Sequence, residues 1–459
     1  MSTTNLPVRE KETNGALDGI ATQGGVRFGK ELRKEFLFDE KYLNLNHGSF
    51  GTYPKSVRST LRHFQDLTEA CPDKFIRYTY PPLLDESRAS IAKVLNCDVE
   101  TVVFVPNATT AINTVLRNLV FSPGDKILYF ATIYGACHKT ISYITETTPA
   151  EAVEVEYTYP VSDAWLVDAL KSKVREERAR GAEVKIAVFD TVVSMPGVRM
   201  PFEKLTEACK ELGVLSCIDG AHGVGHVPLD LGKLDPDFFV SNCHKWLFVP
   251  RGCAIFHVPI RNQPLLRSTL PTSHGFIPKP QSGQKFSSPF GPSAKSDFVN
   301  NFEFVGTIDN GPYLCIPAAL EFRESLGGEK VVMAYCTRLV QQAAENVASV
   351  LGTEVLENGE GTLTNCCLAN VRLPLHLEAV GAVAEKAGKE KDNVGNLVRD
   401  WMGRTMVDDY STFMALFFYG GGWWVRFSGQ VYLEMEDFEW AGGVLKKLCE
   451  RVMAGEFLV

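Results

Sequence analysis

Short apolar runs alternate with helical patterns between residues 102 and 258. The runs TVVFV, KILYF, KIAVFD, VLSCID, FFVSN and GCAIFHV are rich in β-branched and aromatic residues, which is typical of buried strands. Between them, stretches such as TAINTVLRNLV and FEKLTEACKELG place apolar residues three or four positions apart, as helices do. The alternation predicts an α/β fold with a mostly parallel sheet covered by helices on both faces. Ligands of such sheets bind at the carboxyl ends of the strands.

The segments outside this region have other patterns. Residues 1–28 are polar and rich in Gly, Thr and Asn, so we expect a disordered tail. We predict a large domain over residues 29–310, with an N-terminal arm, and a smaller α+β C-terminal domain over residues 311–459. Residues 271–300 are rich in Pro, Gly and Ser, which predicts a long loop that acts as an active-site lid or a dimer contact.

Charge and composition exclude some classes of partner. The 459-residue chain has a net charge of −8, and its basic residues are scattered, which argues against nucleic acid and anionic membranes and favours a small molecule. The first residues lack the apolar core of a signal peptide, and no run of about 18 apolar residues occurs, so the expected location is the cytoplasm. The 12 cysteines form no CxxC motif and no zinc-type spacing with histidine, which predicts reduced thiols and no metal site.

Lys245, in CHKW, and Asp219, in LSCIDGAHG, follow two of the apolar runs. Burial destabilises the ammonium form of a lysine and leaves its amine able to form a Schiff base with an aldehyde. Pyridoxal phosphate requires such a lysine, together with an acid that keeps its pyridine nitrogen protonated. A structural ion pair would use the same two residues. The residues at the other strand ends therefore decide between the two interpretations.

The segment after TVVFV suits a phosphate. Asn107, Ala108, Thr109 and Thr110 open a predicted helix, whose free amides and threonine hydroxyls would bind an anion. Capping of the helix by Asn107 explains the same residues equally well.

Further polar residues follow the next runs. Tyr134 comes just after KILYF, where its ring would cover a flat cofactor, contact a substrate or simply pack. Ser194 and His222 follow KIAVFD and VLSCID, and either is able to donate a hydrogen bond to a phenolate oxygen. Gly306-Thr307 offers an amide and a hydroxyl that suit a phosphate.

In this order the motifs resemble those of fold-type I pyridoxal phosphate enzymes in the group of class V aminotransferases, cysteine desulfurases and isopenicillin N epimerases. The resemblance runs from about Tyr42 to the C-terminus. It implies that Asp219 holds the pyridine nitrogen and Lys245 the aldehyde, and it assigns further cofactor contacts to Ala108, Thr109, Tyr134, Ser194, His222, His244 and Thr307. Because the family's GT element reaches the phosphate of the neighbouring subunit, the resemblance also implies a homodimer with shared sites.

The resemblance extends to the substrate. Arg426, in WWVRFSGQ, matches the family's arginine for the substrate carboxylate, which a planar two-pronged donor suits. NLNHGSFGT at residues 44–52, PTSHGF, FEFVGTIDN and SGQVYLEMEDFEWAG resemble most closely the fungal hercynylcysteine sulfoxide lyases of ergothioneine biosynthesis, which break a C–S bond by β-elimination. Asn46 and His47 are then expected to contact the substrate.

The same group contains the pyridoxal phosphate enzymes of loline alkaloid biosynthesis in fungal endophytes. A γ-elimination, a cyclisation or the formation of a C–C or C–N bond is therefore the alternative activity. One departure bears on this choice: Glu154 stands where the lyases carry a cysteine, in the strand before Tyr159-Pro160.

Other activities remain as lesser alternatives. A cysteine desulfurase is disfavoured because residues 403–430 contain no cysteine for a mobile nucleophile. An aminotransferase or an epimerase would share the first steps with a lyase, and a non-catalytic binding protein would be expected to lack Lys245 or Asp219. In the predicted reaction Arg426 holds the carboxylate and Lys245 removes the Cα proton. Tyr134 stacks on the cofactor ring or protonates the leaving group.

Overall fold

The computed structural model describes residues 27–279, 294–388 and 393–458, which form an α/β fold. Most of the predicted tail and residues 280–293 of the predicted loop lie outside the described residues. The strands are β1 (Leu43–Asn44), β2 (Val102–Val105), β3 (Asp125–Phe130), β4 (Glu151–Val155), β5 (Glu183–Asp190), β6 (Leu215–Asp219), β7 (Phe238–Ser241), β8 (Ala254–His257), β9 (Leu368–His376), β10 (Thr412–Phe413), β11 (Ala415–Tyr419) and β12 (Gly422–Ser428). The helices are α1 (Lys30–Arg33), α2 (His47–Phe50), α3 (Lys55–Ala70), α4 (Pro72–Lys74), α5 (Tyr80–Val94), α6 (Ala108–Asn118), α7 (Gly135–Thr147), α8 (Asp163–Ala179), α9 (Phe202–Leu212), α10 (Leu231–Leu234), α11 (Cys243–Trp246), α12 (Asp297–Glu303), α13 (Gly311–Leu314), α14 (Ile316–Ser325), α15 (Gly328–Leu351), α16 (Leu377–Lys386), α17 (Val394–Tyr410) and α18 (Met435–Met453).

A central sheet has the strand order β2-β8-β7-β6-β5-β3-β4. Strands β3, β4, β5, β6 and β7 are parallel to one another, whereas β8 runs antiparallel to β2 and β7. This arrangement confirms the predicted mostly parallel sheet. The carboxyl ends of β5, β6 and β7 consequently lie side by side.

Alternate residues of each central strand enter separate apolar clusters on the two faces of the sheet. In β5, Val188 packs in the cluster that contains residues of α6, α7 and α12, whereas Phe189 packs in the cluster on the opposite face. Asp190 has the parity of Val188, and its register partner in β6 is Asp219. Both carboxylates therefore face the α6 and α7 side of the sheet.

The C-terminal part of the chain has its own sheet, with the order β11-β12-β9, against which α15 and α18 pack. The short strand β1 pairs with β10, so the residues that precede the central sheet are joined to the C-terminal part. The larger apolar cluster runs through both parts. The domain boundary at residue 310 stays a prediction, which the separate sheets on either side support. In the described part of the chain, no helix combines the length and apolar character that a bilayer crossing needs.

The predicted loop at residues 271–300 ends earlier than expected, because α12 begins within it. Ser296 caps this helix with its side chain. Phe298 and Phe302 lie one turn apart and both contact Phe256 of β8 with their rings. Their spacing is a helix signal that the Pro- and Gly-rich composition of the segment obscured.

The segment from β1 to Gly51, which we call the N-terminal arm, lies over α11. The buried His47 contacts the Lys245 carbonyl oxygen through Nε2 at 2.5 Å and the Tyr432 hydroxyl through Nδ1 at 3.0 Å. At Gly51, φ is 62°, and a Cβ atom there would lie 1.8 Å from the His244 carbonyl oxygen. Glycine therefore allows the arm to approach the backbone of α11 closely.

Gly51→Ala should destabilise the protein more than Gly213→Ala. Both glycines have a positive φ, and at Gly213, where ψ is 27°, an alanine costs on the order of 1–2 kcal/mol. At Gly51 ψ is 176°, a combination that essentially only glycine adopts, which adds to the cost of an alanine there. A Cβ at Gly213 would meet nothing within 4 Å, whereas one at Gly51 would clash with α11. Denaturant unfolding of both variants measures the difference. Equal losses of stability in the two variants would show that the N-terminal arm accommodates a side chain at position 51 without additional cost.

Candidate active site

The carboxyl ends of β5, β6 and β7 bring together the main ionisable groups. Asp190 and Asp219 end β5 and β6, and Lys245 lies in α11, four residues after the end of β7. The lysine is thus in a short helix that follows the strand, whereas the sequence pattern placed it at the strand end itself. The two predicted residues, Lys245 and Asp219, are close enough for their charges to interact, and Asp190 joins them in a group that we call the crevice.

The Lys245 amine is partly buried and has a histidine partner. Its Nζ lies 2.9 Å from His222 Nε2. Burial and the positive charge of Arg426 lower the pKa of Lys245 to about 8, against the opposing effects of Asp219 and Asp190. Roughly a tenth of this lysine is therefore a neutral, nucleophilic amine at pH 7, far more than for an ordinary lysine.

His222 is buried and has partners on both ring nitrogens. The Trp246 indole Nε1 donates a hydrogen bond to His222 Nδ1 at 3.1 Å, while Nε2 faces Lys245. Burial and the charge of Lys245 hold the pKa of His222 well below its usual range, so the ring is neutral. The strand-end pattern predicts His222, whereas nothing in the sequence singles out Trp246.

Asp219 is held by two donors. Its Oδ1 accepts from the Ala221 amide at 3.0 Å, and its Oδ2 accepts from the Cys137 thiol of α7 at 3.2 Å. Burial and the neighbouring charge of Asp219 raise the pKa of Cys137, so the thiol keeps the proton that it donates. Asp219 is only 2% exposed, and its carboxylate is fixed at the strand end.

Asp190 ends the apolar run KIAVFD and is a site residue that was not predicted from the sequence. Asp190 is 4% exposed. Burial, and to a lesser extent the negative charge of Asp219, raises the pKa of Asp190 well above the usual value, whereas the positive charge of Lys245 lowers it. The sequence does contain a signal for Asp190, because this acid ends an apolar run in the same way as Asp219 does. The register of β5 and β6, which makes the two acids neighbours, is not readable from the runs themselves.

Arg426 of β12 reaches the same crevice from the C-terminal sheet. Its guanidinium donates to the Ser194 carbonyl oxygen, to Asn46 Oδ1 at 3.0 Å and to Ser49 Oγ at 3.0 Å. It is fully buried, yet it forms no ion pair with a carboxylate of the described residues, and its Nε has no partner there. Burial lowers its pKa to about 10. A buried cation without an anion favours a negatively charged ligand.

The close approach of Arg426 to the loop after β5 depends on Gly197. A Cβ at this position would lie 2.5 Å from the Arg426 Cδ atom. Asn370 of β9 binds the same glycine through hydrogen bonds to its amide and carbonyl, both at 2.9 Å. The C-terminal sheet therefore positions both the arginine and the loop that carries Ser194.

The predicted phosphate residues lie at the start of α6, where capping accounts for part of the pattern. Asn107 Oδ1 accepts from the Thr110 amide at 2.9 Å and from its hydroxyl at 3.1 Å, and Asn242 Oδ1 accepts from the Ala108 amide at 2.9 Å. No hydrogen bond among the described residues uses the Thr109 amide or hydroxyl. Thr109 is therefore the residue of this group that is free for a phosphate.

Tyr134, His244 and Thr307 are further predicted cofactor contacts, and they differ in exposure and in hydrogen bonding. Tyr134 is the N-cap of α7 and is 47% exposed. His244 Nδ1 lies 2.9 Å from the Cys253 carbonyl oxygen, and burial lowers the pKa of His244 to about 4. Thr307 is exposed on the protein surface after Gly306.

Asn46 and His47 differ in their suitability for substrate contact. Asn46 touches Arg426, so it is next to the buried cation. His47 is committed to Tyr432 and the Lys245 backbone, and burial lowers its pKa to about 3. These contacts make His47 a support of α11.

Glu154 lies outside this constellation. It is in the edge strand β4, where its Oε2 accepts from the Tyr129 hydroxyl at 3.1 Å. Three strand spacings separate β4 from β6, which is roughly 14 Å. Cys366 and Cys367 are both 1% exposed, so they belong to the core.

Comparisons with known proteins address the family and the fold of the chain. The family model described as aminotransferase class-V matches residues 80–382. The L-cysteine desulfhydrase-like protein lolT1 of Epichloe uncinata is 39% identical, with 94% of this chain and 98% of that protein covered. The hercynylcysteine sulfoxide lyase of Schizosaccharomyces pombe is 27% identical, with 92% and 98% covered. A solved mutant of C-DES with glycine covalently linked to the PLP cofactor matches with a TM-score of 0.67 at 15% identity, covering 90% of this chain and 98% of that one. The predicted family and fold are confirmed.

Asp190→Asn should stabilise the unliganded protein at pH 8. Because folding raises the pKa of Asp190 above the usual value of about 3.8, its contribution to stability is complete below that pH and is lost as the pH rises toward the folded pKa. The neutral amide removes this loss. We expect a thermal unfolding midpoint about 2 °C or more above that of the wild type at pH 8, and a smaller difference at pH 5. A pH-independent difference would contradict the raised pKa.

Proposed function

Since the chain belongs to the class V aminotransferase family, we propose that it is a pyridoxal phosphate-dependent enzyme that breaks the C–S bond of a cysteine-type amino acid by β-elimination. One observation carries the proposal: the Lys245 amine, with a lowered pKa, shares a crevice with Asp219 and with the buried Arg426, which has no acidic partner in the described part of the chain. These groups match the amine, the pyridine-nitrogen partner and the carboxylate receptor that the reaction requires.

The residues present fit pyridoxal phosphate. Lys245 would hold its aldehyde, Asp219 its pyridine nitrogen, and the free amide and hydroxyl of Thr109 its phosphate. His222, whose ring is neutral, would donate to its phenolate oxygen, with Ser194 nearby. When bound, the cofactor withdraws electrons from Cα of the substrate, which makes the Cα proton acidic and allows a group on Cβ to leave.

The chain's own groups would bind the substrate and move the proton. Arg426 binds the carboxylate, and its contacts with Asn46, Ser49 and Ser194 hold the guanidinium in one orientation. Lys245 Nζ accepts the proton from Cα as general base. The electron pair of the C–S bond leaves with sulfur, and the three-carbon remainder takes up water and departs as pyruvate and ammonia.

Tyr134 and the carboxylates would complete the site. As a half-exposed residue at the start of α7, Tyr134 is able to stack on the cofactor or to protonate the leaving sulfur. Cys137, one turn further along α7, fixes Asp219, so the same helix positions both functions. Burial raises the pKa of Asp190, which opposes a second negative charge beside Asp219.

Two finer assignments follow from the relatives. The 27% identity to the hercynylcysteine sulfoxide lyase supports a substrate with an S-linked imidazole, and the distance of Glu154 from β6 removes the objection that a site cysteine is missing. The 39% identity to lolT1, an L-cysteine desulfhydrase-like protein, supports cleavage of a C–S bond, whereas the alternative, a secondary-metabolite enzyme that acts at Cγ or forms a new bond, rests on the resemblance of the sequence motifs. Both use the same lysine, acid and arginine.

Product analysis tests the proposal. The purified enzyme should release pyruvate from L-cysteine or from hercynylcysteine sulfoxide, and Lys245→Ala should reduce this release at least about 1,000-fold, because the base and the cofactor anchor are both lost. The ratio of the two rates identifies the preferred group on sulfur. Absence of pyruvate from both substrates, with turnover of an amino acid that has a leaving group on Cγ, would favour the alternative.

Arg426→Lys should weaken substrate binding more than cofactor binding. A lysine supplies a point charge and cannot make the two parallel contacts of a guanidinium, so KM should rise roughly tenfold or more while the visible absorbance of bound cofactor persists. Steady-state kinetics and absorbance titration measure the two effects. Loss of cofactor at unchanged KM would instead assign Arg426 to the phosphate.

We also propose that the enzyme is a homodimer. Thr307 is exposed, and the neighbouring Ile308 is 48% exposed, an apolar side chain next to a polar one on the surface. Gly306, with φ of 94°, turns the chain at this point. In the proposed dimer, Thr307 contributes its hydroxyl to the phosphate in the second subunit, and Ile308 is covered by that subunit.

A further inference from the structure

Trp246 has a contact that sets the proton position on His222. Its indole Nε1 can only donate a hydrogen bond, and its acceptor, at 3.1 Å, is His222 Nδ1. The lone pair on Nδ1 is therefore used, and a neutral ring must carry its proton on Nε2. That nitrogen lies 2.9 Å from Lys245 Nζ, so its N–H is directed at the amine.

We propose that Trp246 is a positioning residue that fixes the His222 proton on Nε2, so that His222 donates to Lys245 Nζ and favours the neutral amine. An ammonium group has only donors, and two donors facing each other at this distance repel. With the opposite tautomer, Nε2 would offer a lone pair, which would stabilise the ammonium form. The choice of tautomer thus controls the charge of Lys245.

The surroundings keep the indole in place. Trp246 is 1% exposed, and the His226 ring stacks on it at 4.0 Å between centroids. His226 Nε2 accepts from the Cys367 amide at 2.7 Å, so its Nδ1 donates to the His222 carbonyl oxygen at 2.9 Å. Arg323 donates to the Trp246 carbonyl oxygen at 2.9 Å. Neither the indole nor the His222 ring is free to turn away.

Other charged or titratable groups also act on Lys245 and His222, and a substitution at Trp246 leaves these groups in the protein. Those that face Lys245 or His222 are Asp190, Asp219, Cys137, Arg426, His226, His244 and His47. Burial and Arg426 already lower the pKa of Lys245, while Asp219 and Asp190 raise it. A change caused by Trp246→Phe is therefore attributable to His222.

The test is the pH dependence of Lys245 acetylation by trace acetic anhydride, measured by peptide mass spectrometry on the full chain stripped of cofactor. Only the neutral amine reacts. Trp246→Phe removes the indole N–H and keeps an aromatic ring, so the midpoint of labelling should rise by about one pH unit, and labelling at pH 8 should fall several-fold. The inference deepens the proposed function, but the labelling needs no cofactor, so failure of that function would leave this outcome unaffected.

Two variants control the experiment. Trp423 is also 1% exposed, and its Nε1 donates to the Gly395 carbonyl oxygen at 3.0 Å, remote from Lys245 in sequence and sheet. Trp423→Phe should leave the midpoint unchanged. In His222→Gln, the amide oxygen is able to accept from the indole and the amide nitrogen to donate to Lys245, so the low midpoint should persist. A wild-type midpoint in Trp246→Phe, with thermal unfolding showing a folded protein, or a raised midpoint in His222→Gln would overturn the inference.

Discussion

Lys245 Nζ lies 2.9 Å from His222 Nε2, in a region where burial disfavours an ammonium ion. Several elements of the fold contribute to the burial of this amine. The central sheet delivers the lysine and its acids to one edge because β5, β6 and β7 are parallel neighbours. The N-terminal arm then covers α11, with Gly51 close to the His244 carbonyl oxygen. Without the arm, water would reach the amine and its pKa would return toward the usual value.

The charges in the crevice reach a balance that suits an amino acid. Asp190, Asp219, Lys245 and Arg426 meet there, and burial raises the pKa of Asp190 and lowers the pKa of Lys245, so it disfavours the charged form of both. Arg426 is the buried cation that has no carboxylate partner among the described residues. Arg426 comes from the C-terminal sheet and the two acids from the central sheet, so a ligand with a carboxylate at one end would be oriented between the two parts of the chain.

The sequence predicted what depends on local pattern and missed what depends on register and close contact. The apolar runs identified the strands, and the polar residues after them identified Asp219, Lys245 and His222. Arg426 was found only through the family resemblance, because nothing in WWVRFSGQ shows that the arginine is buried. Asp190 was missed because its role follows from pairing with Asp219, and pairing between strands is not encoded in either run.

Substrate choice depends on other residues than the buried group does. The groups proposed to hold the reacting atoms, Lys245, Asp219 and Arg426, would serve any amino acid, since they address only its amine, Cα and carboxylate. Glu154 lies three strands from β6 and is bound to Tyr129, so exchange of this residue leaves those contacts unchanged. We therefore expect discrimination beyond Cβ to depend on exposed residues after the strand ends, such as Tyr134 at 47% and Met195 at 41% exposure. Because these residues are not held by the core, they are able to vary without loss of the fold, which allows one buried constellation to serve relatives with different substrates.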